Sequence, residues 1–138
     1  MGPEVIQPQV VSATGGYITK VLRADSANFK GFGELYASTV QPGVFRGWKI
    51  HTKMHSLLMV CSGEIQVHIV PEIGNCYSLK FGRFWLSREL LAIPPGIMFG
   101  FRAVGEAEAT VMNFGSHPHE EGESMKLQDA EHVCGWLN

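Results

Sequence analysis

Sixteen glycines and seven prolines are scattered along 138 residues, and this punctuation leaves no room for several long helices. Between the breaks lie short segments rich in β-branched and aromatic residues: Tyr17–Leu22, Gly33–Val40, Val44–Ile50, Leu57–Cys61, Glu64–Val70, Tyr77–Leu86, Leu90–Ile93, Ile97–Ala103 and Glu108–Phe114. They predict about nine strands. Ile65, Val67 and Ile69 alternate with Gln66 and His68, so one face of that strand is expected to be buried more deeply than the other. Ser62-Gly63 reads as a tight hairpin, and Pro94-Pro95-Gly96 as a turn that excludes a central strand. The pattern predicts an all-β domain spanning residues 1–138, a double-sheet jelly roll or a small barrel, with other β-sandwiches left open. One short helix or lid is expected near the C-terminus, capped by Ser124, running to Cys134 and stopped by Gly135. Ser116 to Ser124 reads as a polar loop.

Formal charge is −2 with 17% charged residues, so no basic field suited to a nucleic-acid polymer is present. The longest apolar runs fall far short of the roughly 20 residues that a membrane-spanning helix needs. Pro3, Glu4 and Pro8 do not suit a secretory leader, and a cytoplasmic protein is expected. Cys61, Cys76 and Cys134 are an odd number without a CxxC spacing, and are expected to be reduced, with Cys61 buried in its apolar run.

The densest polar cluster runs from Arg46 to His55 and contains one arginine, Lys49, Lys53, His51 and His55. On a strand, Gly47, Lys49 and His51 share one face while Trp48 and Ile50 take the other. A solvated edge strand whose lysines deter aggregation would carry the same residues.

Four stretches occur here in the order and spacing of cupins related to dTDP-4-dehydrorhamnose 3,5-epimerase. They are Gly43-Val44-Phe45-Arg46-Gly47-Trp48, the hairpin Val60-Cys61-Ser62-Gly63-Glu64-Ile65, Leu86-Ser87-Arg88-Glu89, and the run from Ile93 to Phe101. The chain resembles that family over roughly Gly33 to Phe114. It is also similar to short epimerase-related proteins of nucleotide-sugar and surface-polysaccharide pathways, which carry a Gly-Trp-x-x-His-x-x-Met stretch matched by Gly47 to Met54. The resemblance implies a cupin double-stranded β-helix, a nucleotide-sugar ligand and a homodimer paired through edge strands. Several positions depart from the family pattern. Lys49 stands where the family has its catalytic histidine, Ser56 where it has a lysine and Phe99 where it has a histidine, and no tyrosine lies between Ala109 and Gly115.

Proton removal next to a ketone needs a base and a positive group facing the enolate oxygen. Lys49 and His51 are the candidates, and either is suited to be the base. Tyr36 is a candidate acid or sugar-stacking ring, and Glu34, Tyr36 and Ser38 share a face that would line the cavity opposite them. Phe99, Phe101, Met98 and Met112 would complete an apolar lining. Arg46 falls on the opposite face of an ideal strand, and reaches a substrate phosphate only if the strand twists or bulges. In the metal-binding pattern of cupins only His51 and His55 survive, with His117 and His119 as distant additions, so no metal and no other cofactor is expected. His68 is left open between the interior and a subunit interface.

Three readings follow. The first is a metal-independent epimerase or isomerase acting on a dTDP-4-keto-6-deoxyhexose in deoxysugar or surface-polysaccharide biosynthesis. The second is a sugar-binding or assembly cupin that has lost its base. The third is a metal-dependent cupin.

Overall fold

A computed structural model of the chain describes residues 2–72, 74–82 and 89–126. Its strands are β1 (Glu4–Ile6), β2 (Gln9–Ala13), β3 (Gly16–Lys20), β4 (Glu34–Val40), β5 (Phe45–His51), β6 (Ser56–Ser62), β7 (Ile65–Glu72), β8 (Asn75–Phe81), β9 (Leu90–Ile93), β10 (Met98–Ala103), β11 (Ala109–Gly115) and β12 (Ser124–Lys126). Strands β3 to β11 correspond to the nine expected segments, the end of Tyr77–Leu86 from residue 83 lying outside the described residues. The predicted C-terminal helix begins instead as β12, which pairs with β5, and the remainder of that prediction lies outside the described residues. Among the described residues, no helix is long and apolar enough to cross a membrane.

Two five-stranded sheets, ordered β1-β9-β6-β11-β4 and β12-β5-β10-β7-β8, face each other, and β2 and β3 form a separate hairpin. This is the jelly-roll arrangement of a cupin. The alternation read from β7 places Ile65, Val67 and Ile69 in the core, at 1%, 0% and 0% exposure. They pack with Phe99 and Phe101 of their own sheet and with Leu58, Leu91, Ile93 and Val111 of the other. Burial of apolar surface between the sheets is the main force holding them together.

The outer face of the second sheet is also covered around Trp48, Val70 and Met98. His68 is buried there, its ring 5.8 Å from that of Phe45 and 6.3 Å from that of Trp48. The cysteine expectations need correction. Cys61 is exposed, because the β6–β11 register shifts between Thr110 and Val111 and releases the end of β6 from the core. Cys76 is disulfide-bonded rather than reduced, and Cys134 lies outside the described residues.

Gly47 and Gly100 allow β5 and β10 to approach closely. A Cβ at Gly47 would lie 2.5 Å from the Gly100 Cα, and Gly47 has φ +149°, a conformation that L side chains rarely adopt. Gly47→Ala is expected to lower unfolding stability by about 2 kcal/mol or more in a urea titration. Gly16→Ala, whose new Cβ meets nothing within 4 Å, should change it by about 0.5 kcal/mol or less.

Candidate active site

A cavity of about 230 Å³ lies between the sheets. One wall is built by Arg46, Gly47, Lys49 and His51 of β5 with Phe99, Gly100 and Phe101 of β10. The other comes from Tyr36 and Ser38 of β4, Leu58 of β6, and Val111 and Asn113 of β11. Few polar groups in a largely apolar concavity is the usual composition of a small-ligand site.

A bulge assembles the polar wall. Phe99 pairs with Lys49 but Phe101 pairs with Arg46, so two steps along β10 match three along β5. The extra residue resets the alternation, and Arg46 joins Lys49 and His51 on the cavity side while Trp48 is buried in the outer cluster. The Arg46 guanidinium donates to the Ser38 hydroxyl and, through Nη2, to the Thr39 carbonyl at 3.1 Å, bridging the two walls. Arg46 is exposed whereas His51 is only 3% exposed, so the cavity runs from an open cationic mouth to a closed inner end.

At the inner end, His51 Nδ1 lies 2.7 Å from Glu123 Oε2, both side chains being almost wholly buried. The other carboxylate oxygen, Oε1, accepts from the backbone amides of Lys53 at 3.1 Å and Met54 at 2.8 Å. Burial alone would push the Glu123 carboxyl upward. The His51 bond and the two amides outweigh it and hold the group at about 2. An ionised carboxylate only accepts, so Nδ1 carries the proton that joins the two residues. In neutral His51 the lone pair is therefore on Nε2, which is buried without a protein partner.

Across the cavity, Asn113 Nδ2 donates to the Tyr36 hydroxyl at 2.7 Å. Burial raises the Tyr36 phenol above its ordinary value, the Asn113 bond pulls it back, and the charges of Glu34 and Glu123 add to the rise.

Of the site residues read from sequence, the cavity gathers Lys49, His51, Tyr36, Arg46, Ser38 and Phe99. Glu34 shares the face of Tyr36 but is not part of the lining. Met112 and Met98 are corrections: β11 turns Val111 and Asn113 inward and Met112 to the opposite face, and Met98 is buried with Trp48 and Val70 on the outer side of the second sheet. His51 and His55, the pair considered for a metal, do not share a cavity. His55 lines a separate one of about 350 Å³ with Ser56, Phe29 and Ser116. Among the described residues, no group of three or more His, Cys, Asp or Glu is placed to hold a metal ion.

Sequence reasoning missed Glu123 and Asn113. Glu123 is one of three carboxylates in Glu120-Glu121-Gly122-Glu123, and only the return of the chain as β12 selects it. A polar residue inside the apolar strand β11 was the available signal for Asn113.

The depressed Glu123 value links the site to stability. A carboxyl lowered from 4.5 to about 2 contributes fully above pH 4.5, and the contribution is lost as pH falls through about 2. Its size is on the order of 3 kcal/mol. In acid unfolding followed by circular dichroism, Glu123→Gln should therefore be less stable than wild type at neutral pH and lose less stability between pH 4.5 and pH 2.

No protein-family model matches the chain. A curated relative, the spore coat polysaccharide biosynthesis protein SpsL of Bacillus subtilis (strain 168), is 26% identical over 104 residues, spanning 72% of this chain and 68% of SpsL. Among solved structures, the dTDP sugar isomerase from Desulfovibrio desulfuricans G20 superposes with a TM-score of 0.83 at 34% identity, covering 96% of this chain and 88% of the other. The sugar 3,4-ketoisomerase QdtA from Thermoanaerobacterium thermosaccharolyticum gives 0.77 at 17% identity, covering 93% and 90%. The 3,5-epimerase RmlC from Legionella pneumophila Philadelphia 1 gives 0.77 at 16%, covering 95% and 75%. The last two share the fold. With a third of its residues identical to the Desulfovibrio isomerase over nearly the full length of both chains, this chain belongs to the family of that dTDP sugar isomerase, on the fold that RmlC and QdtA share.

Proposed function

We propose that this protein, as a single cupin domain, epimerises or isomerises a dTDP-4-keto-6-deoxyhexose by metal-independent proton abstraction next to the ketone. The observation that carries this reading is the buried His51–Glu123 pair in the cavity wall, with Nε2 unpartnered. The family's histidine position is occupied by Lys49, but His51 lies two residues further along the same strand and therefore on the same face. His51 Nε2 takes the proton from the carbon beside the ketone, and the electron pair moves onto the ketone oxygen. Glu123 stabilises the imidazolium that forms. Lys49, on the same wall, supplies positive charge for the enolate oxygen. Tyr36, from the facing sheet, returns a proton from the other side of the ring. Arg46 at the mouth suits the diphosphate, which a guanidinium can grip with two parallel hydrogen bonds. A place in surface-polysaccharide or deoxysugar biosynthesis is supported by the likeness to SpsL.

We also propose a homodimer. β4 is the outer strand of its sheet, and Phe32 just before it and Leu35 within it are 63% and 43% exposed. Light scattering should give twice the chain mass, and Leu35→Asp should shift the protein toward monomer; a monomeric wild type would contradict the proposal.

The function is tested by incubating the purified protein with dTDP-4-keto-6-deoxyglucose in deuterated water and following deuterium at the carbons beside the ketone. Wild type should incorporate it, His51→Asn should lower the rate by about a thousandfold, and Glu123→Gln by about 10- to 100-fold. Binding of the sugar without exchange, across several such sugars, would favour a non-catalytic sugar-binding cupin.

A further inference from the structure

Tyr36 and Asn113 are register partners across β4 and β11, and both line the cavity. Asn113 is 5% exposed, and its Nδ2 lies 2.7 Å from the Tyr36 oxygen. That single bond determines which way the phenol can act. A phenol oxygen carries one proton and accepts through its lone pairs. With an amide N–H already directed at the oxygen, the phenolic proton must turn away from Nδ2. The Asn113 carbonyl is not its recipient, since the same amide presents its NH2 end to the phenol and its Oδ1 is buried without a partner.

We propose that Asn113 is a positioning residue that aims the Tyr36 hydroxyl into the cavity as a proton donor and holds the phenolate left behind. The inference rests on the reading of Tyr36 as the acid in the proposed reaction. The Tyr36 O–H bond breaks, and the enolate's C=C electron pair forms the new C–H bond as the C=O is restored. The negative charge left on the phenol oxygen is met by the Asn113 N–H. Solvent then reprotonates Tyr36 and takes the proton collected by His51. The donor matters more after transfer than before, because a hydrogen bond to an ionised acceptor is roughly twice as strong as one to a neutral group. The bond thus favours the transition state over the ground state.

Asn113 has to offset a disfavourable setting. Burial opposes a phenolate most, and Glu34 on the same strand and Glu123 from the turn before β12 add to it. Arg46, Lys49 and His51 face the phenol from β5. An aspartate at position 113 would accept a hydrogen bond from the phenolic O–H and turn it away from the cavity.

Two measurements decide the proposal. The first is the phenol titration followed by ultraviolet absorbance, with Tyr36→Phe in each background subtracting Tyr17 and Tyr77. Asn113→Leu should move the Tyr36 midpoint upward by about one pH unit, the equivalent of one lost hydrogen bond. Asn113→Asp, which keeps the side-chain shape and serves if the leucine variant fails to fold, should also move it upward. The second compares epimerised or isomerised product with deuterium exchange on dTDP-4-keto-6-deoxyglucose. Asn113→Leu should lower product by about tenfold or more while His51-driven exchange persists. An unchanged midpoint, or product and exchange falling in parallel, would overturn the proposal. Absence of exchange in the wild type would refute the enzymatic reading, and the phenol titration would still decide what Asn113 does.

Discussion

The Glu123 carboxylate is the group on which both the fold and the chemistry of the inner cavity depend. One oxygen accepts two backbone amides just after β5, and the other fixes the His51 ring. The Glu123 backbone carbonyl accepts from the Thr52 amide at 2.8 Å and from the Thr52 hydroxyl at 2.7 Å, next to where β12 joins β5. A buried carboxylate is stable only when its lone pairs are met by donors, and here the donors come from the strand end that carries the proposed base. The contact that closes the second sheet therefore also selects the histidine tautomer.

The β5 bulge does the same for the polar wall. A regular strand would place Arg46 and Lys49 on opposite faces, and the inserted residue brings both to the cavity beside His51. The bulge is possible because Gly47 and Gly100 meet where any side chain would collide. Trp48, the residue between Gly47 and Lys49, anchors the outer face with Val70 and Met98. Packing on one side of the strand thus holds the cationic groups on the other.

Much of this was legible in the sequence, and the remainder was hidden for physical reasons. Glycine and proline spacing with β-branched segments located β3 to β11, and period two placed Lys49 and His51 together. Arg46 was conditional on a bulge, which depends on pairing with β10 and leaves no mark in the local sequence. Met112 and Asn113 illustrate a parity problem. Hydrophobicity points the methionine inward, yet this part of the interior is a cavity lined by a polar residue. Strands β1 and β12, of three residues each, are too short for a periodic signal. Glu123 looks like its neighbours Glu120 and Glu121 until the chain returns to β5.

The most direct test of the account is nitrogen-15 NMR of the wild-type protein labelled at histidine, with the His51 signal assigned by its loss in His51→Asn. In the neutral ring Nδ1 should be protonated and Nε2 unprotonated, a preference that disappears in Glu123→Gln. A neutral His51 with its proton on Nε2, or a tautomer indifferent to Glu123, would contradict it.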